Sequence, residues 1–169
     1  TPVVSVYATG FLNPRGLKFG PDGMLYVAEG GPGGTGSTTA AQCTQVTPPV
    51  GPYKGSLRGG RISRVDSNGV RTTVTDRFPY SQASPNLGNL VSGPADIDWI
   101  GGTMYVLSPY PNILYALDLT KDGAPLKWKY EPKPEAASQG VACCDVVNRG
   151  PIFSGGKIFY NTLDGNTVA

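Results

Sequence analysis

Residues 16–29 read GLKFGPDGMLYVAE, and this stretch decides the fold because it has the pattern of a β-hairpin. Two short apolar segments, suited to paired strands, flank a Pro-Asp-Gly turn. The glycine that ends such a turn supplies a positive φ that other residues rarely adopt. The stretch therefore predicts two antiparallel strands joined by a tight turn at Asp22 and Gly23.

The same hairpin pattern recurs four more times along the chain. Each copy has two segments with β-branched and aromatic residues, which suit strands, around a turn that contains glycine. The further copies are GRISRVDSNGVRTTV at 60–74, PADIDWIGGTMYVLS at 94–108, ILYALDLTKDGAPLKWKY at 113–130 and RGPIFSGGKIFYNTL at 149–163. Internal repeats of this kind are typical of β-architectures built from successive, similar sheets.

Grouping the hairpins in inner and outer pairs gives two four-stranded blades and the first half of a third. The inner hairpins are apolar, whereas the outer ones have an acidic residue before the turn and a basic residue after it. A β-sandwich also uses short strands and regular turns, and it is the competing architecture. The alternation of inner and outer hairpins favours an all-β fold, a partial β-propeller of about two and a half blades.

Two segments interrupt the hairpins. Residues 30–60 are rich in Gly, Pro, Ser and Thr and have hardly two adjacent apolar residues. Such a composition predicts a long loop that emerges from one blade. A second, shorter connection is predicted at 77–90.

The composition excludes several classes of function. The net charge is only +2, and the Lys and Arg residues are scattered, which excludes the basic surface of a nucleic-acid-binding protein. No apolar run approaches the ~20 residues that span a bilayer, so we expect no membrane span. The chain has no histidine, which removes Ser-His-Asp and Cys-His catalysis and histidine-containing metal sites. Because the chain begins at Thr1, we expect a processed or excised piece of a longer protein.

Residues from about 4 to 100 resemble the ScyD/ScyE family of secreted bacterial propeller proteins. The resemblance rests on VYATGFLNPRGLKFGPDGMLYVAEGGPGGTGST at 6–38, QCTQVTPPVGPY at 42–53, GGRISRVDSNGVRTTV at 59–74 and LVSGPADIDWIGGTMYVL at 90–107. It implies a non-catalytic secreted propeller whose loops bind a partner. It also implies that Cys43 pairs with a cysteine of a later blade. No other cysteine precedes Cys143, so Cys43 is expected to be a free thiol or to pair between molecules.

Residues from about 102 to 169 resemble the PQQ-dependent (quinoprotein) alcohol and methanol dehydrogenases. The most specific motifs are ACCDVVNRG at 142–150 and NTLDGNTVA at 161–169. The resemblance implies a periplasmic eight-bladed propeller that uses pyrroloquinoline quinone (PQQ) with Ca²⁺ or a lanthanide. It further implies that Cys143 and Cys144 form a vicinal disulfide against one face of the cofactor, and that Arg149 hydrogen-bonds the quinone oxygens.

No catalytic residue and no metal ligand can be assigned from these motifs. The family's metal ligands, catalytic aspartate and cofactor-stacking tryptophan follow the matched motifs, so we expect no tight PQQ binding and no alcohol oxidation by this chain alone. A family glutamate that should precede the cysteine pair has no match here. Asp145 and Asp164 lie inside the motifs, where structural or turn roles are favoured for them.

Three other carboxylates leave two interpretations open. Glu29, Asp96 and Asp98 are read either as ligands of a metal ion at the mouth of the ring or as acceptors of backbone hydrogen bonds. The second reading is favoured because acidic residues at strand ends regularly accept such bonds.

The sequence thus predicts two differently related sets of blades, residues 1–101 and 102–169. They could be joined by natural recombination, by engineering, or by the stitching of two sequences. The predicted function is an exported, periplasmic or secreted propeller segment with a fragment of a PQQ site, which oxidises alcohols only when other blades complete it. A non-catalytic binding module is the first alternative. An assembly role is the second, because an incomplete ring exposes sheet edges and apolar faces to further blades or to self-association.

Overall fold

The computed structural model describes residues 3–33, 54–82, 91–108, 113–132, 135, 150–162 and 164–169. These residues form strands, turns and irregular segments, and none of them forms a helix that could cross a membrane. The strands, in chain order, are β1 (Pro14–Phe19), β2 (Leu25–Glu29), β3 (Lys54–Val65), β4 (Arg71–Gln82), β5 (Val91–Ser92), β6 (Asp96–Ile100), β7 (Thr103–Ser108), β8 (Ile113–Asp118), β9 (Leu126–Tyr130), β10 (Ile152–Ser154), β11 (Lys157–Asn161) and β12 (Thr167–Val168).

The strands form three antiparallel sheets, and within each sheet the strands follow one another in chain order. We call these sheets the first blade (β1–β5), the second blade (β6–β9) and the third blade (β10–β12). All five predicted hairpins occur, as β1–β2, β3–β4, β6–β7, β8–β9 and β10–β11. Their turns use the expected glycines, for example Gly23 at φ 75° and Gly69 at φ 78°. Local turn chemistry is therefore enough to define the hairpins.

The first blade is more extensive than its sequence pattern predicts. β3 begins at Lys54, so residues 54–60 of the predicted loop belong to a strand, and β4 continues through residues 77–82 of the predicted second connection. The pairing register shifts around Gly60, where an added Cβ would lie 2.6 Å from Pro94. A glycine at this bulge lets the hairpin continue past a position too crowded for a side chain.

The three blades meet through their first strands. The Gly16 amide of β1 donates to the Ala95 carbonyl, just before β6, at 2.7 Å. β6 also contacts β10. Blades whose first strands lie side by side around a common centre are the arrangement of a propeller, whereas the sheets of a sandwich pack face to face in only two layers. The fold is therefore a partial β-propeller, as predicted.

The two central strands of the second blade, β7 and β8, are buried on both faces. Towards the first blade it contributes Met104 and Val106 to a core that also contains Tyr26, Ala28, Ile62 and Phe78. Towards the third blade it contributes Leu107 and Leu114, which pack with Tyr160. Successive residues of a strand point to opposite faces. Because both the odd- and the even-numbered residues of β7 include buried apolar side chains, neither face of this strand is open to solvent.

We predict that Met104→Ala and Leu107→Ala will each lower the free energy of unfolding by about 2–5 kcal/mol, because each removes a buried side chain from a different face of the second blade. Leu57→Ala is the control, because Leu57 is 56% exposed and should change stability by about 0.5 kcal/mol or less. Urea unfolding followed by fluorescence measures all three. A Leu107→Ala variant as stable as the control would contradict the packing of the third blade against the second.

Candidate functional site

The residues predicted to contact a cofactor, Cys143, Cys144 and Arg149, lie outside the described residues, as do Cys43 and Asp145. The predicted disulfide and the predicted cofactor contacts therefore stay predictions. The residue that follows Arg149 is Gly150, which belongs to the part of the chain that the structure describes.

Gly150 lies against the carboxylate of Asp96. A Cβ placed on Gly150 would come within 2.1 Å of Asp96 Oδ2, and one placed on Gly16 would come within 2.8 Å of Asp96 Oδ1. Only glycine allows the backbone to approach a carboxylate so closely. Because Gly16 is in β1, Asp96 begins β6 and Gly150 precedes β10, this carboxylate lies where the first strands of all three blades meet. We call Asp96 with these two glycines the central carboxylate site.

The surroundings of the central carboxylate site disfavour the charged form of Asp96 relative to an exposed carboxyl group. Burial raises the pKa of Asp96, and the negative charge of Asp98 acts in the same direction. The Ile97 amide and the Lys18 ammonium oppose this shift without cancelling it. Asp98 itself forms an ion pair with Lys18, at 2.7 Å between Nζ and Oδ1.

Glu29, at the end of β2, is fully buried and is the common acceptor of several hydrogen bonds. Its carboxylate accepts bonds from the Leu12 amide, at 2.5 Å, from Arg61 Nε and Nη2, at 3.0 and 2.5 Å, and from the Ser63 hydroxyl. The Ser63 oxygen in turn accepts a bond from Arg71 Nη1 at 2.9 Å. A carboxylate has about four acceptor directions, and these four bonds occupy them.

Glu29, Asp96 and Asp98 are interpreted above either as ligands of a metal ion or as acceptors of backbone hydrogen bonds. Glu29 and Asp98 accept backbone hydrogen bonds, from Leu12 and from Trp99 respectively, which supports the hydrogen-bonding reading. In the part of the chain that the structure describes, no group of three or more His, Cys, Asp or Glu side chains lies close enough together to hold a metal ion.

Asp164 has the turn role that was favoured for it. Its Oδ1 accepts a bond from the Thr162 hydroxyl, and its Oδ2 accepts one from the Glu135 amide at 3.4 Å. The bond from Thr162 lowers the pKa of Asp164 and keeps it ionised. The turn is closed by the Gly165 amide, which donates to the Thr162 carbonyl.

A second feature, which the sequence reasoning missed, is a cleft of about 560 Å³ between the second and third blades. It is lined largely by aromatic and aliphatic side chains and by one lysine, and we call it the interblade cleft. Its lining includes Tyr105, Leu114, Trp128, Tyr130, Lys157 and Tyr160. The sequence of β9, LKWKY, could have indicated such a surface. It alternates apolar and basic residues, although the strand is exposed along its length.

Comparison with known proteins gives a consistent group of relatives. The chain is 54% identical over 109 residues to a lanthanide-dependent methanol dehydrogenase of Methylacidiphilum fumariolicum. This match covers 64% of this chain and 17% of that protein. It is 47% identical over 70 residues to a lanthanide-dependent methanol dehydrogenase of Methylorubrum extorquens, and 43% identical over 70 residues to a quinohemoprotein alcohol dehydrogenase of Pseudomonas putida. These two matches cover 41% of this chain and 12% and 9% of the relatives.

Among solved structures, a europium-containing methanol dehydrogenase matches 41% of this chain and 12% of its own chain, with 50% identity and a TM-score of 0.37. No protein-family model matches the chain. The chain thus spans less than a fifth of the length of the relatives described here.

We predict that Glu29→Gln will lower the free energy of unfolding by about 3–5 kcal/mol, because it leaves the charge of Arg61, whose side chain is only 12% exposed, without its partner. The matched control is Glu131→Gln, which breaks an exposed ion pair with Lys129 and should cost at most about 1 kcal/mol. Chemical denaturation at neutral pH measures both. Equal losses for the two variants would contradict the central role of Glu29.

A further prediction concerns Asp96→Asn, which replaces the half-buried carboxyl group by a neutral amide. Because the folded-state pKa of Asp96 is raised, the contribution of Asp96 to stability is fully present below the unfolded-state pKa and is lost as the pH rises through the folded-state value. We therefore expect the stability of the variant relative to the wild type to increase between about pH 3 and about pH 6.

Asp118→Asn is the control with the opposite sign. The hydrogen bond from the Thr120 side chain lowers the pKa of Asp118, so the wild type gains stability above the unfolded-state pKa and the variant should lose it. Thermal unfolding across this pH range measures both differences. A pH-independent difference for Asp96→Asn would show that this carboxyl group does not titrate as described.

Proposed function

We propose that this chain is a portion of an exported propeller of the PQQ-dependent alcohol dehydrogenase type, with Cys143, Cys144 and Arg149 on its cofactor face. The sequence similarity to methanol and alcohol dehydrogenases supports a quinoprotein-like propeller portion. The structural observation that supports the cofactor face is the position of Gly150. This residue directly follows Arg149 and packs on Asp96, where the first strands of the three blades meet. Propellers commonly place their ligand sites near this centre.

The chemistry of the proposed residues fits a flat, anionic quinone. Two adjacent cysteines close an eight-membered disulfide ring, which offers a compact surface against the plane of a cofactor. The planar guanidinium of Arg149 would donate to the quinone oxygens and stabilise negative charge on them. When bound, PQQ supplies a quinone that accepts two electrons and two protons from an alcohol. The disulfide also implies an oxidising compartment, so we propose a periplasmic or secreted location.

Alcohol oxidation is proposed for a completed propeller, not for the described residues alone. The relatives that are named as dehydrogenases are several times longer than this chain. Among the residues that the structure describes, no three His, Cys, Asp or Glu side chains lie close enough together to hold a metal ion.

We also propose that further blades or a second copy of the chain cover the outer apolar faces. Leu17 and Phe19 of β1 are 65% and 68% exposed, and Ile152 of β10 is 69% exposed. Blades in a ring bury such residues against their neighbours. The alternative function, a non-catalytic ScyD/ScyE-like binding module, is supported by none of the comparisons and stays a prediction.

Titration with PQQ in the presence of Ca²⁺ or La³⁺ tests the proposed cofactor face. We expect weak, saturable binding, detected by the absorbance of the quinone, because the chain offers only part of a site. Arg149→Lys should weaken it about tenfold, the effect of losing one charge-assisted bidentate contact. Arg58→Lys, on an exposed position of β3, is the matched control and should change nothing. Absence of any binding, or equal binding by both variants, would contradict the proposal.

Counting thiols provides an independent control for the same experiment. With a Cys143–Cys144 disulfide, at most one of the three cysteines reacts in denaturant without reductant, and all three react after reduction. Three reactive thiols before reduction would contradict the disulfide.

A further inference from the structure

Residues 3–6, Val-Val-Ser-Val, have the composition of a strand, and we call them the valine segment. Val3, Val4 and Val6 are 94%, 93% and 80% exposed. Three of the four residues are β-branched, and such residues favour a pleated, half-buried strand. Among the strands that the structure describes, none pairs with this segment. The valine segment is therefore suited to pairing with the edge of another sheet.

The valine segment projects from the outer face of the first blade, because the residues that follow it are tied to that face. The Gly10 carbonyl accepts a bond from Arg61 Nη2 at 2.8 Å, and the Leu12 amide donates to Glu29 at 2.5 Å. Ala28, next to Glu29 in β2, packs in the core shared with the second blade. Because successive residues of a strand point to opposite faces, Glu29 lies on the face turned away from the second blade.

The third blade has an edge where a further strand fits. Its described strands are β10, β11 and β12, and β12 is at the edge, whereas the second blade has four strands. Val168 of β12 pairs with Tyr160 of β11 on one side. Val168 also lines the interblade cleft of about 560 Å³, together with Trp128 and Tyr130, which are 43% and 45% exposed. A strand added beside β12 would therefore run along an open, largely apolar cleft.

We propose that the valine segment of one copy of the chain pairs with β12 of a second copy, as a fourth strand of its third blade. Val4 and Val6 lie on one face of an extended strand and enter the interblade cleft beside Trp128 and Tyr130. Backbone hydrogen bonds to the sheet edge supply affinity, and the alternate side chains in the cleft supply specificity. This inference rests on the proposed covering of the outer faces and names the partner and the contact.

The same contact brings two exposed apolar faces together. Lys18 of β1 pairs with an aspartate of the second blade, so its neighbours Leu17 and Phe19 point to the outer face of the first blade. In β10, the partner of Phe153 packs against the second blade, so Ile152 points to the outer face of the third blade. A contact between these two different faces is heterologous and produces head-to-tail chains or rings of copies.

A symmetric contact between two β9 edges is unfavourable by comparison. β9 also lies at the edge of its sheet, and its sequence is LKWKY. Antiparallel pairing of two copies centred on Trp128 would place Lys127 directly opposite Lys129 of the other copy. Like charges in directly opposite positions destabilise a strand pair. The valine segment has no charged side chain, so its pairing with β12 avoids this repulsion.

Sedimentation velocity of the chain at increasing concentration tests the proposal. We expect head-to-tail association with a Kd on the order of 10–100 µM, as for a small interface. The double variant Val4→Lys/Val6→Lys should weaken this association at least about tenfold, because it would bury two charges in the cleft. Val70→Lys is the matched control, at a 56% exposed position in the β3–β4 turn, and should leave the association unchanged.

A mixing experiment tests the head-to-tail geometry. Trp128→Lys blocks the cleft and leaves the valine segment intact, whereas Val4→Lys/Val6→Lys does the reverse. Each variant alone should be monomeric at concentrations where the wild type associates. An equimolar mixture should form dimers and nothing larger, because it contains one intact segment and one intact cleft per pair. Circular dichroism checks the folding of each variant, and Tyr130→Lys replaces Trp128→Lys if the latter is unfolded.

Three results would overturn the proposal. These are a wild-type chain that stays monomeric at concentrations well above the expected Kd, association that Val4→Lys/Val6→Lys does not weaken, and a mixture that forms no dimers. Association that persists in the double variant would show that the outer faces meet without the valine segment. None of these measurements uses PQQ, so failure here is distinguishable from failure of the proposed cofactor face.

Discussion

The burial of both faces of β7 and β8, the central strands of the second blade, is the constraint on which the rest of the structure depends. Met104 and Val106 point to one face, and Tyr105 and Leu107 point to the other, and three of these four side chains are completely buried. A sheet that is apolar on both faces is stable only between two neighbours. The first and third blades supply them, and together the three sheets bring their first strands into contact. A two-layer sandwich could not do this, because one face of each of its sheets is solvated.

The sequence predicts the hairpins because their turns are determined by local residues. The extent of β3 and the role of Glu29 depend on contacts between residues far apart in the chain, so the sequence pattern did not predict them. Turns such as the one at Gly23 need no tertiary information. The start of β3 at Lys54 depends on pairing with Gln82, 28 positions away, so a segment with the composition of a loop becomes a strand. The role of Glu29 was ambiguous for the same reason, since Arg61 lies 32 positions further along the chain. The role of Cys143 and Arg149 at a cofactor is predicted from a motif alone, because both residues lie outside the described residues.

Two carboxylates near the centre of the blades, the buried Glu29 and the half-buried Asp96, have different surroundings. Glu29 is fixed by its surroundings, because two arginine nitrogens, a hydroxyl and an amide direct donors at its carboxylate. These bonds tie the segment before β1 to β2 and β3, and they leave no acceptor direction for another ligand. At Asp96, burial raises the pKa, and the Ile97 amide and the Lys18 ammonium oppose this shift without cancelling it.

The interblade cleft lies where the second blade changes from buried to exposed strands. β7 and β8 are mostly buried, whereas β9, Leu126–Tyr130, is exposed along its length. That is why Leu107 is fully buried while Trp128, on the same face, is 43% exposed.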